Sequence, residues 1–201
     1  DAYFDAAVGN PPFASDPQTD QSGRKHLSGL TLHNYFFAKS VDMLREGGVL
    51  AQVVTNAFLD SKTDAARRYI ADRTVFLGAI RLPNSAFAKN ANTEVTTDII
   101  FLQKRPDGEI GSKAAKQDAK RWLGTGTLMD KAGREVALNQ YFIDNPDMML
   151  GDFGAYGTMY GPKSPALTAR DGQDRPALHK AAVERLPANA YTSVADTRTD
   201  G

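Results

Sequence analysis

Two consecutive prolines constrain this chain more than any other feature. Asn10-Pro11-Pro12-Phe13 directly follows a short apolar segment, residues 3–8, and Gly9. Neither proline has an N–H to give to a helix or a sheet, and each fixes its own φ. A buried strand over residues 3–8 must therefore end here, in a stiff loop. The side-chain carbonyl of Asn10 and the main-chain carbonyl of Pro11 then form two acceptors, held in place before any ligand arrives. Each can take one N–H of an exocyclic amine, which turns the amine's lone pair toward a methyl donor. Phe13 adds an aromatic face on which a planar base can stack. Asn-Pro also commonly opens an ordinary turn. The apolar lead-in, Gly9 and the pattern downstream favour a functional loop.

Residues 14–29 are polar and rich in Ser, Asp and Gly, with Arg24, Lys25 and His26 in their middle. Such a loop after a stiff turn is a sensible place for Arg24 and Lys25 to meet phosphates, or it is a solvated charged loop. Apolar residues at helical spacing predict a helix over 30–45, stopped by Gly47 and Gly48. A buried-strand pattern follows over 49–55, and Asp60 or Ser61 can cap a helix running to Arg73. Residues 75–82 and 95–104 read as two further strands, with Pro83-Asn84-Ser85 closing the first. Helices alternate with strands and then give way to a strand pair. The pattern is α/β: a mostly parallel sheet with an antiparallel closing hairpin.

The texture changes near Pro106. Residues 107–120 are charged and read as a linker or surface helix, and 121–142 hold a hairpin around Asp130-Lys131-Ala132-Gly133. Residues 145–171, rich in Gly, Pro and Met, read as mostly irregular, and 176–186 as a short helix. Trp122 either stacks on a base or is buried against the sheet. The expected organisation is a first unit over 1–106 and an irregular α+β extension over 107–201.

These residues resemble the amino-methyltransferases of the Rossmann-like superfamily. Their catalytic tetrapeptide, Asp/Asn/Ser-Pro-Pro-Tyr/Phe, ends the fourth strand of the sheet. The resemblance covers roughly residues 3–105 and implies the C-terminal half of such a sheet, from strand 4 onward. The run from Asn34 to Gly48 is similar to the family's next helix and its Gly-Gly stop. Val53 to Leu59 is similar to the fifth strand and its loop. Arg81-Leu82-Pro83-Asn84-Ser85-Ala86-Phe87 and Thr97 to Lys104 resemble the closing hairpin of adenine-N6 DNA methylases of the gamma and type I restriction kind. In that group an aromatic residue of the hairpin packs against a flipped base. Phe87 is the candidate here, with a core role at a strand end as the other reading. Asn139 through Gly151 is similar to large bacterial, phage or plasmid proteins that join a methylase to a helicase-like domain.

The resemblance implies S-adenosylmethionine as cofactor and DNA as partner. The family's Gly-rich cofactor loop normally precedes the tetrapeptide, and only eight residues precede Gly9. The chain thus reads as a fragment whose main cofactor loop lies outside it, needing the remainder of its parent polypeptide. Gly124-Thr125-Gly126 and the glycines from Gly151 to Gly157 lack the strand–turn–helix context of a replacement. The remaining cofactor contacts would be His33 and Asn34, at the start of the helix after the tetrapeptide. Either residue can equally be a polar helix start.

Basic and acidic residues balance at 24 each, so a DNA-acting chain of this kind needs a local basic face. No cysteine is present, which excludes disulfides and thiolate chemistry and fits a reducing cytoplasm. His26, His33 and His179 lack metal-ligand spacing, and no metal site is expected. No apolar run approaches a membrane span. Asn-Pro-Pro-Tyr/Phe also occurs in methylases of RNA bases and of protein glutamine. A non-catalytic binding module of a defence or anti-restriction protein is the third reading.

Overall fold

The computed structural model describes residues 2–13, 16–21, 23–62, 65–86, 95–157 and 164–191. The first part holds β1 (Phe4–Gly9), α1 (Leu32–Met43), β2 (Leu44–Thr55), α2 (Asn56–Asp60), α3 (Ala65–Arg73), β3 (Thr74–Leu82) and β4 (Thr97–Lys104). The four strands form one sheet in the order β1-β2-β4-β3. β1 and β2 are parallel, and β4 runs antiparallel to both β2 and β3. Three strands therefore point the same way with one reversed strand inserted among them, which is the α/β arrangement expected. The expected cap at Asp60 does not form: Asp60 ends α2, and its carboxylate is taken by Arg81.

The helix after the tetrapeptide ends at Met43, before the glycines that were expected to stop it. The chain passes straight into β2, and Gly47 takes φ 75°. That left-handed residue bends the strand between its pairing of Leu44 with Phe4 and its main register from Val49 onward.

Every second residue along a strand shares a face. Leu50, Leu102 and Phe76 form one cross-strand row, and Val54, Asp98 and Arg81 form another. Phe37 and Val41 of α1 and Ile70 and Ala71 of α3 join the same core. In α1, His33, Phe37 and Val41 recur every fourth residue, which places all three on the buried stripe.

The second part holds α4 (Lys113–Leu123), β5 (Thr125–Met129), β6 (Glu135–Asn139), α5 (Gln140–Asp144), β7 (Asp152–Gly157), β8 (Ser164–Thr168) and α6 (Arg175–Glu184). The hairpin expected around Asp130 is β5–β6. Residues 145–171 are more regular than their composition suggests, since β7 and β8 pair antiparallel. Trp122 is fully buried and stacks on Phe76, with centroids 5.2 Å apart at 12°. Its role is core packing rather than base stacking. Leu138, Tyr141, Phe142 and Met148 to Leu150 join the sheet's own core residues in one cluster.

Gly78 makes this close docking possible. Its φ is 148°, and a Cβ there would lie 2.6 Å from Leu186 Cδ2 and 3.1 Å from Tyr141 Oη. It also sits in the β3 bulge, where the register with β4 shifts after Phe76.

Candidate functional site

Because β1, β2 and β3 are parallel, their carboxyl ends share one edge of the sheet. The Asn10–Phe13 loop leaves β1 there, Asn56 follows β2, and residues 83–86 follow β3. Three strand spacings separate the first loop from the last, about 14 Å. In α/β sheets the crevice outside this edge is where ligands are held.

Within the tetrapeptide Asn10, Pro12 and Phe13 are exposed and Pro11 is half-buried. The Phe13 ring is 41% exposed and meets His33 in a T-shaped contact, centroids 5.8 Å apart at 65°. His33 in turn stands edge-on to Phe58 at 5.8 Å, and Phe58 leans on Phe37 at 5.0 Å. A chain of rings thus connects the exposed loop to the core.

His33 is buried, and its Nε2 has no hydrogen-bond partner. Burial lowers its pKa below the ordinary histidine value, against smaller opposing contributions from the Asn34 side chain and the Val53 carbonyl. The ring is therefore held neutral. Thr31, which precedes α1, makes no side-chain cap. The first N–H of α1, that of Leu32, already donates to the Asp16 carbonyl at 3.0 Å, so the partnerless buried nitrogen of His33 is the polar group suited to a bound ligand. In this respect His33 fits a cofactor contact, with Asn34 beside it.

Arg24 and Lys25 follow the tetrapeptide in a segment held against α1. The buried Asp20 pins their segment to α1: it accepts from the Arg24 N–H at 2.9 Å, Tyr35 Oη at 2.8 Å and Lys39 Nζ at 3.3 Å. His26 stacks on Tyr69 and reaches Asp42 at 2.8 Å. Asp42 lies nine residues after His33, about 14 Å along the helix axis. Phe87 lies outside the described residues.

Sequence reasoning missed what lies over the β2–β4–β3 end of the same edge. The β7–β8 hairpin is pinned there by three hydrogen bonds. Asn56 Nδ2 donates to the Pro165 carbonyl at 2.8 Å, the Leu167 N–H donates to Thr96 Oγ1 at 2.9 Å, and the Asn84 N–H donates to the Leu167 carbonyl at 2.8 Å. Below it Arg81 is buried between Asp98 and Asp60. Asp60 Oδ1 also accepts from the Asn139 N–H at 2.9 Å, which ties the extension to this edge. Asp60 and Arg81 are far apart in sequence, so no local pattern marks them as partners.

Among the described residues no cluster of three or more His, Asp or Glu could hold a metal ion. Nor is any described helix long and apolar enough to cross a membrane.

Comparison with known proteins finds a family match over part of the chain. The Eco57I restriction-modification methylase model matches residues 1–87, which includes the tetrapeptide, α1, β2 and β3. A search of curated proteins found no match. Solved structures similar to the chain include a class I S-adenosylmethionine-dependent methyltransferase from Listeria monocytogenes, 21% identical, covering 53% of this chain and 33% of that one, TM-score 0.41. A modification subunit of a type I restriction enzyme from Vibrio vulnificus is 15% identical over 68% of this chain and 37% of its own, TM-score 0.44. The type I restriction enzyme EcoKI M protein is 14% identical over 92% of this chain and 47% of its own, TM-score 0.42. The chain spans about a third to a half of the length of these proteins. The matched residues 1–87 carry the Asn10–Phe13 loop and three of the four strands of the sheet, and over that stretch the chain is similar to a restriction-modification methylase.

Proposed function

We propose that the chain is the catalytic half of an S-adenosylmethionine-dependent DNA adenine-N6 methyltransferase, with residues 1–106 as that half and 107–201 as an extension docked on it. One observation carries the reading: the stiff Asn10–Phe13 loop stands at the carboxyl end of β1, with an exposed Phe13 ring braced by buried His33.

A stacked adenine cannot present its amine to such a loop, so the base must be flipped out of the duplex. The Asn10 side-chain carbonyl and the Pro11 carbonyl accept its two N–H groups and free the nitrogen lone pair from the ring. Phe13 stacks on the base, and Phe87 is the second stacking candidate. The amine's proton is shed to solvent after transfer, so no general base is required of the chain. When bound, S-adenosylmethionine supplies an electrophilic methyl group. His33 and Asn34 are its contacts within this chain.

Among the described residues the outer edge of β1 has no strand partner, and Tyr3 is 67%, Phe4 50% and Val8 86% exposed. An open apolar strand edge is a surface that proteins normally cover. The remainder of the parent polypeptide, with a helicase-like domain, completes the site in the cytoplasm. Arg24 and Lys25 serve as phosphate contacts away from the reacting base.

The full-length protein, given methyl-labelled cofactor with DNA, RNA or protein, tests the proposal. Label at adenine N6 of DNA is expected. Label confined to RNA bases or to protein glutamine would overturn it.

A further inference from the structure

We infer that the outer face of α4 binds the phosphate backbone of duplex DNA. The inference rests on the DNA reading above and adds a contact surface outside the methyl-transfer site.

The sequence between Lys104 and Arg121 mixes basic and acidic residues, and the structure sorts them. Lys104 is buried and donates to the Val41 carbonyl at 3.2 Å. Arg105 is buried and pairs with Asp118 at 2.9 Å and with Glu109 at 3.8 Å. Arg121 pairs with Asp118 at 3.0 Å and donates to the Phe76 carbonyl at 2.9 Å. Asp118 and Glu109 are thus occupied by arginines. Lys113, Lys116 and Lys120 remain exposed, with no ion pair among the described residues.

These three lysines share one side of the helix. Ala115, Ala119 and Trp122 form the buried stripe. At 100° per residue the lysines fall within a sector of about 60° whose centre is about 120° around the helix from that stripe, and they span about 10.5 Å along the axis. One DNA strand presents a phosphate every ~3.4 Å of helix axis, so the stripe matches about three phosphates. Exposed Gln117 beside it offers amide donors to the same oxygens. The chain's net charge is zero, so the stripe is a local excess and not part of a uniformly basic surface.

The last turn of α4 is also linked to the strand-end edge. The Trp122 carbonyl, at the last turn of α4, accepts from Asn139 Nδ2 at 2.8 Å. The Asn139 N–H reaches Asp60 at the strand-end edge. On either side of Lys120 the helix is held near the start of β3, where Asp118 accepts from the Phe76 N–H at 2.8 Å and Arg121 donates to the Phe76 carbonyl.

The test is the salt dependence of binding of the full chain to a 20-base-pair duplex of arbitrary sequence, followed by fluorescence anisotropy at about 50 to 200 mM salt. Replacing all three lysines (Lys113→Gln, Lys116→Gln, Lys120→Gln) should flatten the slope of log K against log salt by about 2.7, or 0.9 per phosphate contact. Lys62→Gln with Lys180→Gln, two lysines elsewhere on the surface, should leave the slope unchanged. An unchanged slope in the triple variant, or an equal loss in the control, overturns the inference. So does a slope loss seen with poly-glutamate and not with DNA, which would mark an acidic protein as the partner. Methyl transfer to DNA by the wild-type protein separates the two failures. If transfer occurs while the triple variant keeps its slope, only the α4 face is wrong. If the wild-type protein neither binds nor methylates DNA, both readings fall.

Discussion

Arg81 and Asp98 stand directly opposite each other on β3 and β4, and the guanidinium grips the carboxylate with two arms: Nε lies 2.7 Å from Oδ1 and Nη2 lies 2.8 Å from Oδ2. Asp60 adds a second carboxylate 2.9 Å from Nη1, and the Phe142 ring lies 4.3 Å from the guanidinium carbon. Two buried acids share one cation. Burial, with Asp60 beside it, pushes the Asp98 carboxyl up to about 6 despite Arg81.

Removing the cation should be severe. Arg81→Met leaves two carboxylates buried without a counter-charge, a change that costs about 3–5 kcal/mol. Urea unfolding of the variant checks this, and the double variant Arg81→Met/Asp98→Leu should lose less than the single one. In the wild-type protein a carboxyl-carbon NMR titration should place Asp98 near 6 rather than 3.8. The sign follows: stability linked to that proton is complete below pH 3.8 and is lost as the pH rises through about 6.

Asn10→Ala should lower methyl transfer by about 100- to 1000-fold, the usual effect of losing one preorganised polar contact to a reacting group. Its side chain is exposed, so stability should change by no more than about 0.5 kcal/mol. Initial rates and a thermal melt on the same preparation separate the two effects. A large drop in melting temperature would instead mark the loop as structural.

His33 should make stability fall on the acid side. Burial depresses its pKa, so the neutral ring is favoured in the folded state. Its contribution is fully present above the ordinary value of 6.5 and is lost as the pH falls through the lower folded value. The difference in melting temperature between wild type and His33→Gln isolates this group from Asp98, which acts in the opposite direction. That gap should narrow on acidification, and imidazole NMR should read a pKa below 6.5.

Gly78→Ala should destabilise the chain by about 1–3 kcal/mol, the range for overpacking. The added methyl meets Leu186 and Tyr141, and the backbone there is left-handed. The equilibrium midpoint in urea checks it. A larger residue at the nearby exposed Val183 should have little effect by comparison.

The strands of the first part were legible because each is a short apolar run bounded by Gly or Pro, a signal carried within a few residues. The hairpin around Asp130 was legible for the same reason, its turn being set by Asp130, whose Oδ1 accepts from the N–H groups of Ala132 and Arg134. β7 and β8 were not. Their composition is rich in Gly and Pro, and their stability comes from docking on Asn56, Asn84 and Thr96, far away in sequence. Trp122 shows the same limit: its sequence context allowed stacking on a base, and contact with Phe76 assigned it to the core.

The sequence by itself determined that the chain stops and stiffens at Asn10–Phe13, that an α/β alternation follows, and what the loop can do with an amine. Those are properties of proline geometry, hydrophobic period and side-chain chemistry, all local. The tertiary structure decided the strand order, with β4 inserted between β2 and β3. It decided that His33 braces Phe13, that Arg81 joins Asp98 and Asp60, and that Asp20 holds the segment of Arg24 against α1. Each of these closes a loop of many residues, and only the burial of the whole core offsets that entropy.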